Sequence, residues 1–343
     1  MPTLPKSKLL LPLALLALLA LPALAQAKMA FVRGNLKTTV YVANDNGSGI
    51  RKVGTGATPH VSPDGALVAY SREGAGHKSE LVVARTDGGG AGKTLMVNWR
   101  EPYSLAFTSN SEQLLAVRGP EIGKRKLVLV TIATGAQKVI ASGYFYGFSF
   151  DPEGKEVVYA KANNEKYPPR SDVYRVSAAG TGTVALTRDH ASEYPLWGPS
   201  GKIVFVKLLE ANKRKYGPKN ELYLMDENGK GVKRLTHTKV DPLLQGLFPT
   251  AWSGDGKRIL AQFGGQDTTY AVGVDAQTGA QHPIQKATEQ GLVGAALSAD
   301  GKTVFGFEGG FEGGSKRNVV KVPFSGGKAT VLVKNAFEPS FGG

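Results

Sequence analysis

Trp252-Ser253-Gly254-Asp255-Gly256-Lys257-Arg258-Ile259-Leu260 is the stretch on which the reading of this chain turns. An aromatic residue leads into a short polar turn, and an apolar run follows it. Asp-Gly supplies residues that tolerate positive φ, and the apolar residues on either side are expected to alternate with a period of two, so the phrase predicts a β-hairpin. It recurs as Trp197-Gly198-Pro199-Ser200-Gly201-Lys202-Ile203-Val204-Phe205 and again from Leu297 to Phe305, from Phe150 to Tyr159 and from Val61 to Tyr70. A degraded copy runs from Phe107 to Val117, with Ser111 in place of the turn Gly. The turn markers stand at positions 65, 111, 154, 201, 256 and 301, which gives spacings of 46, 43, 47, 55 and 45.

Two more strands are expected after each hairpin. One reads Glu221-Leu222-Tyr223-Leu224-Met225-Asp226, with counterparts beginning at Glu80, Lys126, Asp172 and Asn318. The other is short, as in Val232 to Thr236, and is reached through an Asn-Gly turn. Four antiparallel strands in about 45 residues is the size of one propeller blade. Met29–Gly54 supplies three strands with no leading phrase, while Glu338-Pro339-Ser340-Phe341 matches the lead-ins Tyr194-Pro195-Leu196-Trp197 and Phe248-Pro249-Thr250-Ala251-Trp252. The C-terminus is therefore expected to donate the first strand of the N-terminal blade, removing the exposed edges. The resulting fold class is all-β: a β-propeller of four-stranded blades, seven with terminal closure, or six if the copy around Ser111 merges with a neighbour.

Composition agrees. The 343 residues include 44 Gly and 19 Pro, with 41% hydrophobic residues, which excludes a disordered chain and points to many tight turns. The absence of Cys excludes disulfides, thiolate metal sites and a cysteine nucleophile. Lys6 and Lys8 precede a Leu/Ala run from Leu9 to Ala25 and then Ala25-Gln26-Ala27, the three parts of a secretory leader. Cleavage is expected after Ala27, leaving a periplasmic or secreted protein whose single domain spans residues 28–343. The formal charge of +14 falls by two when Lys6 and Lys8 leave.

The phrase Trp-Ser-x-Asp-Gly-Lys-x-Ile, the strand Glu-Leu-Tyr-Leu-Met-Asp, the Asn-Gly turn and the closing Arg-Leu-Thr resemble the repeats of TolB-like propellers over essentially all of residues 28–343. The resemblance implies a periplasmic propeller that binds proteins of the cell envelope. It covers the propeller only, so no counterpart is expected of the N-terminal domain of TolB proteins or of the hydrolase domain of the prolyl oligopeptidases, whose propellers share the repeat.

The residues announce no chemistry. Asp87-Gly88-Gly89-Gly90-Ala91-Gly92-Lys93-Thr94 has Asp where a phosphate-binding loop needs its first Gly, and it joins two strands, so it reads as a hairpin turn. His60, His77, His190, His237 and His282 show no metal-ligand spacing, and no metal or cofactor is expected. Asp64, Asp255 and Asp300 read as turn formers. Trp197, Trp252, Phe107 and Phe150 share one register position and are expected between blades. Basic residues gather at Lys207, Lys213, Arg214, Lys215 and Lys219 in the longest unit and at Lys124, Arg125 and Lys126, and are read as solvated loops. They favour contact with an anionic polymer or a membrane surface. Export and the lack of an interleaved aromatic ladder argue against nucleic acid.

Two functions follow. The first is a monomeric, non-enzymatic propeller that binds an envelope protein or peptide through the lead-in loops, at His60, Arg100, Glu101, Tyr103, Tyr144, Tyr146, Glu193, Tyr194, Phe248 and Glu338. The second is a lyase or hydrolase acting on an anionic polysaccharide.

Overall fold

The computed structural model describes residues 27–99, 105–120, 123–164, 168–210, 217–239, 244–265, 268–285, 291–309 and 317–342. The segment expected to be a leader lies outside them, apart from Ala27. Strands make up 59% of the structure, and the one helical element among the described residues is a 3₁₀ turn, Ala75–His77.

Hydrogen bonding groups the strands into antiparallel meanders. One runs Ala57–Val61, Leu67–Glu73, Ser79–Arg85, Lys93–Val97. The next runs Ala106–Phe107, Gln113–Arg118, Arg125–Thr131 and the first half of Gln137–Phe150. The second half of that 14-residue strand opens a further meander with Glu156–Ala162, Ser171–Ser177 and Val184–Ala185. Ser192–Trp197, Lys202–Leu209, Lys219–Asp226 and Lys233–Arg234 come next, then Leu244–Trp252, Arg258–Gly265, Thr269–Asp275 and Gln281–Pro283. These two are joined by a single parallel bridge, Asn220 to Gly246. Val293–Leu297, Thr303–Glu308, Asn318–Pro323 and Thr330–Lys334 follow. The last strand, Phe337–Gly342, pairs with Lys28–Arg33 ahead of Thr39–Asn44 and Arg51–Thr55. Its register, Met29 opposite Phe341 and Ala30 opposite Ser340, is the terminal closure expected from the sequence.

The turns explain themselves. Ser62 Oγ donates to Asp64 Oδ1 (2.5 Å), which also accepts the Ala66 N–H (3.0 Å), while the Leu67 N–H donates to Ser62 Oγ (2.9 Å). Ser253 with Asp255 and Ser298 with Asp300 repeat the arrangement. The degraded copy keeps it with Thr108 and Asn110. There Ser111 takes φ 60°, the value its Gly counterparts hold at 68–72°.

The core differs from the expected alternation. Val157, Val158, Tyr159 and Ala160 are consecutive and all buried, as are Ile203, Val204, Phe205 and Val206. Each sheet is covered on both faces, so successive side chains feed two different junctions. Val204 and Val206 pack with Ile259, Ala261 and Phe263 of the following meander, whereas Ile203 and Phe205 pack with Val158, Ala160 and Val173 of the preceding one. Trp197 joins the second of these clusters, as its register position implied. The ring of clusters closes where Met29 and Phe31 meet Val319 and Val333.

Four of the basic residues read as solvated loops belong to strands. Lys207 pairs with Asp189 (3.0 Å) and lies 5.2 Å from the Tyr223 ring, and Lys219 pairs with Glu221 (3.1 Å). Arg125 and Lys126 open a strand. Lys213, Arg214 and Lys215 lie outside the described residues.

Candidate functional site

The first strand of each meander runs from its lead-in to the Asp-Gly turn. Consecutive first strands touch: Ala106–Phe107 with Gln137–Phe150, that strand with Ser192–Trp197, then Leu244–Trp252, Val293–Leu297, Phe337–Gly342 and finally Ala57–Val61. The candidate residues His60, Tyr144, Tyr146, Glu193, Tyr194, Phe248 and Glu338 all stand on these strands, not in loops as expected. Arg100, Glu101 and Tyr103 lie outside the described residues.

A backbone irregularity marks the lead-in ends. Pairing shifts register between Ala57 and His60, Phe145 and Phe148, and Glu193 and Leu196. In the bulges Thr58, Tyr194 and Glu338 take φ of 45°, 47° and 49°, each directly before a proline. Left-handed backbone is costly for a β-branched or bulky residue and is held only where the surroundings fix it. Here neighbouring strands fix it. The Thr58 N–H donates to Glu338 Oε2 (3.1 Å), the Val61 N–H to Ser340 Oγ (2.9 Å) and the Trp197 N–H to Ser149 Oγ (2.9 Å). Gly147, at φ 89°, fills the same register position, and a Cβ there would stand 2.8 Å from Tyr194 Cα. Glu338 is thus a seam between the last strand and the Ala57–Val61 strand.

Two sets of candidates are brought together. Glu338 and His60 share the closing seam through Thr58. The glycine after Tyr146 abuts Tyr194, and the Tyr194 ring meets Phe248 edge-on at 5.3 Å, while Tyr146 itself packs with the cluster of Trp197 and Phe205. Tyr144 is half-buried one residue from Phe145, opposite Ala162.

The electrostatics are unusual at two points. Glu193 is 5% exposed, and burial pushes its carboxyl up to about 7 although Ser171 Oγ donates to it (3.0 Å). Desolvation pulls the His60 imidazole down to about 4. A third feature escaped the sequence reading: Asp172 Oδ2 holds His190 Nδ1 at 2.6 Å, and Asp172 Oδ1 accepts the His190 N–H (3.0 Å) and Thr187 Oγ1 (3.3 Å). The imidazole is otherwise 59% exposed. Glu221, at the same place in the next meander, accepts from Arg234, Thr236 and Thr238, so an acid here braces the loop after the fourth strand. Its spacing in Ser171-Asp172 and Asn220-Glu221 was a legible signal. Among the described residues no group of three or more His, Asp or Glu could hold a metal ion. The Gly-rich segment at 87–94 is a strand connection in which Asp87 accepts the Gly89 N–H (2.8 Å).

No protein-family model matches the chain, and no curated protein matches its sequence. Solved structures do share its fold, that of a TolB-like β-propeller. TolB from Acinetobacter baumannii is 17% identical, with a TM-score of 0.56 over 91% of this chain and 81% of that one. The β-propeller domain of the Trilobed protease from Pyrococcus furiosus, described as having an open velcro topology, is 17% identical, with a TM-score of 0.63 over 90% of this chain and 94% of that one. An oligogalacturonate lyase from Vibrio parahaemolyticus is 11% identical, with a TM-score of 0.56 over 81% and 87%.

Proposed function

We propose that the chain is an exported, monomeric, seven-bladed propeller of residues 28–343 that binds a protein or peptide of the cell envelope at the lead-in end of its first strands, without catalysis, metal or nucleic acid. The observation that carries this reading is the Tyr194–Phe248 ring pair beside strained, pre-proline backbone at the lead-in end of the first strands, with the half-buried Tyr144 and Tyr146 on the neighbouring strand. Strain of this kind clusters at binding and switch sites, and tyrosines on rigid backbone are favoured as binding anchors. Arg100, Glu101 and Tyr103, which precede another first strand in the sequence, are proposed as part of the same surface. The basic balance adds attraction to acidic partners and anionic surfaces.

The test places a photo-cross-linking residue at Tyr144 and, in a second variant, at Lys155 on the opposite turn. Cross-linking in intact envelopes is expected to yield protein adducts from position 144 and none from 155. Adducts from 155 alone would place the binding face at the other end. Export is checked by the mass of the mature N-terminus, expected to begin at Lys28.

One observation favours the enzymatic alternative, a lyase or hydrolase acting on an anionic polysaccharide: an imidazole held by Asp172 through Nδ1 and 59% exposed is an arrangement open to a general base. Release of reducing ends from uronate polymers, abolished by His190→Gln, would establish it.

A further inference from the structure

At the Asp-Gly turn end of the molecule, opposite the lead-in end, a cavity of about 420 Å³ opens between the Ser192–Arg234 and Leu244–Pro283 meanders. Its floor is apolar: Leu224 and Met225 are buried, and Trp252 presents part of its ring. The indole is fixed, because its N–H donates to the Leu196 carbonyl (3.1 Å) and a Cβ at Gly198 would stand 2.8 Å from its ring-fusion atoms. The rim carries Lys202, Lys233 and Lys257, all exposed.

The repeat makes these lysines informative. The residue after the turn glycine is Lys155, Lys202, Lys257 and Lys302 in four successive copies. Lys155 pairs with Glu153 (2.6 Å) and Lys302 with Asp300 (3.6 Å) inside their own turns. Lys202 follows Ser200 in place of an acid, and no ion pair joins Lys202, Lys233 or Lys257 to a described carboxylate. Asp226 and Asp255 feel the charges of Lys202 and Lys257, but each is committed to its turn. Asp226 accepts the N–H groups of Asn228 and Lys230, and Asp255 accepts Ser253 Oγ and the Lys257 N–H. Asp275, the one acid lining the cavity, accepts the N–H groups of Gln277 and Thr278. Three lysines without an ion-pair contact therefore surround an apolar floor, with the nearby Asp226, Asp255 and Asp275 bound into their own turns.

We infer that this inter-blade cavity binds an acidic peptide segment, a few residues in which carboxylates flank an apolar side chain. The volume is of ligand size, too large for a lone inorganic anion. The apolar side chain would fill the space over Leu224, Met225 and Trp252 while its acidic neighbours meet the ammonium groups. A uronate sugar satisfies the lysines but sets hydroxyls against Leu224 and Met225 with no partner, which is costly. The site lies at the other end from the lead-in residues, so it stands or falls separately from that reading.

The test follows the Trp252 indole N–H resonance of the purified protein during titration with N-acetyl-Asp-Leu-Glu-amide, its Asn/Gln analogue, digalacturonate and phosphate. Saturable shifts are expected with the acidic peptide. Binding should weaken about tenfold or more with the Asn/Gln analogue and with Lys202→Gln/Lys257→Gln, and should fade as salt is raised. Lys155→Gln/Lys302→Gln, which removes the ion-paired lysines, should leave affinity unchanged. The inference is overturned by equal binding of the uncharged analogue, by an unaffected Lys202→Gln/Lys257→Gln variant, by tighter binding of digalacturonate or phosphate, or by no shift at millimolar peptide.

Discussion

Ser111 shows how a single residue can depart from the repeat and still serve it. It occupies left-handed backbone that Gly holds elsewhere, and its Oγ accepts the Asp64 N–H of the neighbouring turn (3.2 Å). Ser111→Gly exchanges strain relief for that bond and should change stability by less than about 1 kcal/mol. Ser111→Ala keeps the strain, loses the bond and should cost about 1 kcal/mol; thermal melts of both variants distinguish the cases. Glu193 and His60 set the pH response. Glu193 rises from 4.5 to about 7 on folding, so the native state retains a proton the unfolded chain has lost, and stability falls as pH climbs from about 4.5 to 7. His60 drops from 6.5 to about 4, so the unfolded chain takes up the proton first, and stability falls as pH descends through the same window. The two slopes oppose each other. Glu193→Gln should expose a stability that rises between pH 4 and 6.5, and His60→Asn one that falls, both read from chemical denaturation at each pH. The turn role of Asp64 was legible because its partners are two residues away. The seam role of Glu338 was not, because Thr58 is 280 positions distant and only the closed ring brings them together.

At the scale of elements, the last strand carries disproportionate weight. Phe337 is 8% exposed and packs with Phe307, while Ser340 caps the Val61 N–H. Deleting residues 336–343 strips one edge from Lys28–Arg33 and opens two junctions. It should cost several kcal/mol and lower the melting temperature by well over 4 °C, checked by calorimetry. Ser340→Ala alone should cost about 1–3 kcal/mol, since it leaves the Val61 N–H without its partner. The sequence made this strand visible through the shared Glu-Pro or Tyr-Pro lead-in. It did not show Gln137–Phe150 as one continuous strand, because the repeat divides those residues between two units. Nor did it reveal burial on both faces, since a run such as Ile203-Val204-Phe205-Val206 shows how much is buried and not which neighbour receives each side chain.

Over the whole molecule, stability is a circuit of junctions between neighbours, closed by strand pairing alone. Lys28 pairs with Gly342, so the two ends of the described chain adjoin. A permutant that joins them through a short linker and opens between Pro283 and Val293 should fold and melt within a few degrees of the parent. Loss of cooperative melting in that variant would show that chain order contributes beyond the junctions. The lead-in site was legible as a set of positions because the repeat numbers them; the lysine-rimmed cavity was not, since Trp252, Lys202 and Lys233 meet only through adjacency of two sheets.

The pairing of Lys28 with Gly342 also fixes an orientation. A Cβ at Gly342 would meet the Ser62 carbonyl at 2.2 Å, which puts this point at the Asp-Gly turn end of the first strands. Anything attached to either end of the ring, whether a leader still held in a bilayer, a tether or a fused domain, leaves from that end. The ring would then stand like a cup on its stem, with the lead-in ends of the first strands turned outward and the lysine-lined cavity facing the support.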